Sequence, residues 1–389
     1  MRIEQRGIHR TCVALFWAGV FLCSAVAHAG SWPLQTVPPA DWPKFADDLN
    51  YKHLIHGLSV NQRYLKKLPL DKKLSLGDRQ VTVADLLLVN ARLKDLVARQ
   101  PASADLAQQM HNLFTVHCVK PTGRNLHERN ILVTSYYQPV FGGRLRQDAT
   151  FRYPLYQIPN TLAQRQDGQI GRLEQGTFVP FWTRGEIEQA NRLAGQELVW
   201  LRDPFDAFLL HIQGSGLVRL ADGSLRSLRY GHRNGHPYSS IGKFMVDSGR
   251  IRLEEAGLDQ IRQYLHDHPE ERQQILSYNR SYIFFRWSET MEAIGSMGEP
   301  VSSGRTVAAD KSIYPLGTVG FLAARMPKMR HGRVAGFGEM QRFVLVQDTG
   351  SAIKGAARLD FFWGRGAEAA SAAGRVRQQG VMYVLLPRS

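Results

Sequence analysis

Three aspartates near the C-terminal end offer the most chemistry in this chain. Asp348 closes the apolar run Phe343–Gln347 and opens into Thr349-Gly350-Ser351-Ala352. Asp360 follows Arg358-Leu359 and precedes Phe361-Phe362-Trp363, and Asp310 lies upstream of both. A carboxyl set among leucine, phenylalanine and tryptophan loses water. Desolvation raises its pKa toward the range a general acid needs. Aspartates at strand ends also cap turns, and that reading stays open for all three, Asp360 included. A second group lies far from these in sequence. Thr134, Tyr136 and Tyr137 stand in Val133–Pro139, and Gln213, Gly214 and Ser215 in Ile212–Gly216. Asn234, Gly235, His236 and Tyr238 share one loop. Rings pack on the apolar faces of pyranoses, while amides and hydroxyls bond their polar groups, so this mixture suits sugar recognition. Turns and buried tyrosines are the plainer alternative.

Other chemistries find less support. Gly214-Ser215-Gly216 is not a nucleophile elbow, because Ile212 occupies the first glycine's place; it reads as a tight turn after a strand. No phosphate-binding G-x-x-x-x-G-K-[ST] loop occurs. His117 beside Cys118, and His232 with His236, do not form a zinc-ligand set. Neither a metal nor a cofactor is called for.

The elements that must position these residues are mostly strands. Ile131–Tyr137, Ala207–Ile212, Tyr282–Phe285, Thr318–Leu322, Phe343–Val346 and Val381–Leu386 read as strands, with a hairpin about Asp222-Gly223. Residues 83–117 read as helix, broken at Pro101 and restarted with Ser103 as N-cap, and 239–278 return to helix. Ala367–Ala373 fits a short helix, and the proline-rich stretch 31–45 an extended linker. There is no βαβ rhythm, which points to barrels with attached helices rather than a doubly wound sheet.

Composition sets the context. The 389 residues are 43% hydrophobic and 21% charged, as in an ordinary globular protein with a sizeable core. Lys+Arg 49 against Asp+Glu 34 gives +15, which favours a polyanionic partner. Arg2, Arg6 and Arg10, then the apolar run Val13–Leu22, then Ala27-His28-Ala29, are laid out as a cleaved secretory signal over residues 1–29, in preference to a membrane anchor. Export makes nucleic acid a poor choice of polyanion. Loss of three Arg and one Glu leaves the mature chain at +13, with Cys118 its one cysteine. Leu22 before Cys23 is bulkier than a lipid-attachment site normally takes.

Six segments, in order, carry a family resemblance: Val133–Pro139, Ile212–Gly216, Asn234–Tyr238, Tyr282–Phe285, Ala309-Asp310 with Pro315–Thr318, and Gln347–Gly355. They resemble the membrane-bound lytic murein transglycosylase A family, and the last two, with Asp360, resemble the three-aspartate domain, a double-psi β-barrel. The likeness covers residues 130–387 and is weak over 30–129. Ser135 and Ser351 stand where the family often has glycine.

The resemblance implies a mainly β fold with flanking helices. A discontinuous double-psi β-barrel domain is formed by 30–139 with 288–389, together with N-terminal helices. A second β-domain, 140–287, is inserted in it, with a groove between the two. It implies a peptidoglycan lytic transglycosylase in which Asp360 is the single acid/base and Asp348 a functional neighbour. The implied substrate-binding residues are Thr134, Tyr136, Tyr137, Gln213, Gly214, Ser215, Asn234, Gly235, His236, Tyr238, Asp310 and Lys354. Glycan strands are the expected partner, and the protein is expected as a monomer in the periplasm. Peripheral association with the outer membrane or with cell-wall enzymes goes with the family. A hydrolytic muramidase on the same fold and a non-catalytic wall-binding protein are the alternatives.

Overall fold

The computed structural model describes residues 32–120, 130–252, 257–350 and 353–388. The expected signal over 1–29 and Ser351 lie outside them. Six strands close a barrel. Their ring order is Ile131–Gln138, Gln378–Pro387, Val319–Arg330, Arg333–Asp348, Thr306–Ala308 and Arg358–Arg365, which returns to Ile131–Gln138. Thr306–Ala308 runs parallel to Arg333–Asp348, and Arg358–Arg365 parallel to Ile131–Gln138. Alternate side chains fill the inside: Val133, Val344, Val346, Leu359, Phe361 and Val384 share one core. The reverse faces, with Phe321, Phe343, Leu345 and Leu385, pack under the N-terminal helices.

Between the first barrel strand and the rest lies a second sheet. Its order is Ile283–Ser288, Leu225–Arg233, Ser215–Arg219, Val140–Arg144, Glu197–Leu201 and Tyr153–Tyr156. A bridge from Gln157 to Phe285 brings its two ends together. Helices Ile241–Asp247, Leu258–Asp267 and Arg272–Tyr278 bury Ile241, Met245, Ile261, Leu265 and Ile275 against Phe205 and Phe208.

Three local expectations are corrected. Pro204–Gln213 is a helix, not a strand. Asp203 accepts from the Phe205 N–H at 2.7 Å, Pro204 takes the first helical position, and Gly214 ends the helix at φ 71°. A run apolar on every side suits a buried helix as well as a buried strand, and these end signals decide the matter. Gly214 is therefore a helix cap, and Ser215 begins the next strand. The stretch 31–45 is not simply a linker, since Leu34–Thr36 adds to the sheet against Phe114–Val119. That strand also shortens the helical region, whose second helix is Ser103–Leu113 with Ala102 as N-cap.

The N-terminal region is tied to the barrel. Arg305, fully buried, donates to both Asp47 oxygens and to the Lys52 carbonyl, and Arg342 bonds both oxygens of Asp48. Helix Leu54–Leu65 lies so close that a Cβ on Gly57 would come within 2.5 Å of Leu345. Gln347 donates to the Gly57 carbonyl and to Asn61, which fixes the strand end one residue before Asp348.

Candidate active site

Register brings the two downstream aspartates together. Ala308 is paired on one side with Asp348 and on the other with Asp360. Asp360 in turn faces Thr134 on the next strand, and the Thr134 hydroxyl donates to its Oδ1. Tyr136 is two residues on from Thr134, hence on the same face. Its hydroxyl donates to Asp348 Oδ2 at 2.8 Å. Residues separated by over two hundred positions thus meet across adjacent strands.

The two carboxyls have different surroundings. Asp348 Oδ1 accepts from the Ser296 N–H at 3.0 Å, the Ser296 hydroxyl at 2.8 Å and the Thr349 N–H at 2.9 Å. With Tyr136, four donors hold it in one orientation. Among the described residues, Asp360 has one side-chain hydroxyl donor and Arg358 Nη2 at 3.7 Å, and its side chain is 21% exposed. Burial pushes the Asp360 carboxyl up to about 6; the Arg358 charge opposes this and the Asp348 charge adds to it. Burial, followed by the charges of Asp348 and Asp360, also drives the Tyr136 phenol well above its ordinary value, so it stays a donor.

A cavity of about 470 Å³ opens beside these groups, between barrel strands and the inserted sheet. Tyr136, Tyr137, Gln213, Gly214, Ser215 and Asp348 line it. Asp360 is not among its lining residues; Phe362, two residues along the same strand, is, and the ring of Tyr136 packs on that of Phe362. A second cavity of about 320 Å³ shares Gln138, Ala293, Val301 and Phe362 with the first and extends to His53 and Arg365.

The remaining expected residues are placed elsewhere. Asn234 is buried, donates to the Trp182 and Arg280 carbonyls and accepts from the Tyr282 N–H, so it braces loops. His236 bonds the Phe181 carbonyl at 2.8 Å. Gly235 has φ 86°, in the left-handed region, and a Cβ there would come within 3.0 Å of Ile170, while Tyr238 is exposed; none of these lines either cavity. Asp310 holds a turn, accepting from the Ser312 N–H and hydroxyl and from the Gly355 N–H. Burial alone would raise its pKa, but these donors and the Lys354 charge outweigh burial and hold it low. Lys354 is exposed beside that turn, away from both cavities.

Sequence reasoning missed Ser296, Arg229, Arg286 and Gln138. Ser296 sits in an irregular segment with no motif to flag it. Arg229 and Arg286 become neighbours only through strand pairing. Gln138 stood inside the Val133–Pro139 segment; it is 3% exposed, lines both cavities, and its Nε2 has no hydrogen-bond partner among the described residues.

Comparison with known proteins bears on this geometry. Residues 132–286 match the MltA specific insert domain, and 305–386 match the 3D domain. The membrane-bound lytic murein transglycosylase A of Escherichia coli K12 is 32% identical over 259 residues, 66% of this chain and 66% of that protein. The crystal structure of a membrane-bound lytic murein transglycosylase from Agrobacterium tumefaciens aligns with TM-score 0.73 at 30% identity, covering 91% of this chain and 98% of that one. E. coli MltA with bound chitohexaose shares the fold, with TM-score 0.71 at 24% identity, over 92% of this chain and 96% of that one.

Proposed function

The chain belongs to the membrane-bound lytic murein transglycosylase A family, and from that premise we propose that it cleaves the β-1,4 bond between N-acetylmuramic acid and N-acetylglucosamine with a single aspartate, Asp360, as acid and base. The observation that carries the reading is the register that sets Asp360 and Asp348 on either side of Ala308, with Thr134 opposite Asp360; burial there pushes the Asp360 carboxyl up to about 6. Protonated Asp360 donates to the glycosidic oxygen, and the C1–O bond breaks as an oxocarbenium-like state develops at C1. Ionised Asp360 then takes the proton of the C6 hydroxyl on the same muramic residue. That oxygen bonds to C1 and closes a 1,6-anhydro ring. Atoms balance with no water consumed, so no second carboxylate is required to activate water as in ordinary glycosidases.

Asp348 acts through its charge, which keeps Asp360 protonated to higher pH, and Tyr136 and Ser296 hold it there. Thr134 orients the Asp360 carboxyl. Tyr137, Gln213, Gly214 and Ser215 offer a ring, an amide, backbone and a hydroxyl to the sugars. In this reading Asn234 and His236 support the groove indirectly. Residues 30–139 with 288–389 make up the barrel domain with its N-terminal helices, and 140–287 the insert. The expected export signal and the positive mature chain fit a periplasmic site of action on anionic murein.

The test is mass spectrometry of soluble products from purified protein and murein sacculi. The expected products end in 1,6-anhydromuramic acid. Reducing ends, heavier by one water, would make the protein a hydrolytic muramidase. Binding with no fragments released would make it a wall-binding protein.

A further inference from the structure

Arg229 and Arg286 are register partners on adjacent strands of the insert, and both line the larger cavity. Like charges directly opposed across a sheet repel. Among the described residues no carboxylate lies within ion-pair distance of either, and the one side-chain bond between these strands here is Arg229 Nη1 to the Ser288 hydroxyl at 3.4 Å. Other insert arginines do have carboxylates: Arg184 has Glu188, and Arg262 has Asp203 and Asp206. Burial and the Arg286 charge lower the pKa of Arg229. The sheet therefore keeps a repulsive pair whose open side is the cavity.

We propose that Arg229 and Arg286 form an anion-binding station for a carboxylate of the stem peptide carried by the muramic residues of the glycan. The proposal rests on the glycan-cleaving reading above. Where a stem peptide is attached, the muramic lactyl carboxyl is tied up as an amide and the sugar backbone is neutral, so the anionic groups of peptide-bearing peptidoglycan that reach into such a groove are the peptide carboxylates. Guanidinium groups suit them, since each can present two parallel N–H donors to one carboxylate. The pair would make the enzyme favour peptide-bearing glycan over glycan that carries no carboxylate, through binding rather than through the bond-breaking step.

Isothermal titration tests this on the full chain carrying Asp360→Asn, so that ligand is not consumed. The probes are chitohexaose, which has no carboxylate, and a peptide-bearing murein tetrasaccharide. The expected result is that Arg229→Gln with Arg286→Gln weakens binding of the peptide-bearing ligand by about 10- to 100-fold, as for loss of charged hydrogen bonds. Chitohexaose affinity should change less than about twofold on the same estimate, and added salt should erode the preference of the parent chain. Equal weakening for both ligands would place the arginines on the sugars and overturn the proposal, as would no change for either. A parent chain that binds neither ligand would instead overturn the glycan reading on which it rests. Both substitutions relieve repulsion, so the melting temperature should hold or rise; a fall with loss of both ligands would make the pair a structural element and end the proposal.

Discussion

Replacing Asp360 by asparagine should silence the protein and stabilise it at neutral pH, and the two effects have one cause. A carboxyl at about 6 is protonated at pH 7 in roughly one molecule in eleven, against about one in 1600 for a carboxyl at 3.8. Burial thus enlarges the acid form about 150-fold. The same shift destabilises the fold. The unfolded chain ionises Asp360 near 3.8 and the native chain near 6, so stability from this group is full below pH 4, declines as pH rises to about 6, and stays lost above. The loss is about 3 kcal/mol at most, from a shift of about two pH units at 1.36 kcal/mol each. An amide in place of this carboxyl cannot ionise. Asp360→Asn should therefore raise the melting temperature by a few degrees at pH 7 and by nothing at pH 3.5, while turnover on sacculi falls about 100- to 10,000-fold. The assays are calorimetry at both pH values and release of soluble muropeptides. A variant less stable at pH 7, or one that keeps its turnover, would refute the reasoning.

Asp348→Asn removes a charge that raises the Asp360 pKa, so the alkaline limb of the pH–rate profile should move to lower pH, with less loss of rate than in Asp360→Asn. Arg358→Gln removes an opposing charge, and the same limb should move to higher pH. Gln138→Leu deletes a buried amide whose nitrogen is unpartnered among the described residues; stability should hold, while KM for glycan rises about 5- to 10-fold with kcat little changed, read from steady-state kinetics. Arg184→Ala should cost about 3 kcal/mol in denaturant unfolding, because the 1% exposed guanidinium bonds the Asn279 and Ser281 carbonyls, Glu188 and His211.

The sequence made the strand-rich texture, the hairpin at Asp222-Gly223 and the Asp348 and Asp360 candidates legible, because alternation, turn chemistry and apolar flanks are local signals. What it could not show is that Ala308 stands between the two aspartates, since register across distant strands has no local signature. The run Ala207–Ile212 was ambiguous for a related reason: a segment buried all round shows neither period, and only Asp203-Pro204 and Gly214 mark it as a helix. Asn234 and Asp310 carry side chains as able to meet a sugar as to meet a backbone, and which they do depends on loops that only the folded chain brings near. Nothing local marks Arg229 and Arg286 as a pair, since only strand pairing sets them side by side.

The barrel's first strand, Ile131–Gln138, takes both its neighbours, Arg358–Arg365 and Gln378–Pro387, from the far end of the chain. Such pairing gives a high contact order and slow closure, while the insert, whose strands pair over shorter spans, can assemble on its own contacts beforehand. Thr134 meets Asp360 directly, across the pairing of Ile131–Gln138 with Arg358–Arg365. A chain truncated before Gln378 would keep the strands that align these residues but leave Ile131–Gln138 with an open edge, so the Gln378–Pro387 strand serves to hold the ring shut around a site already in register.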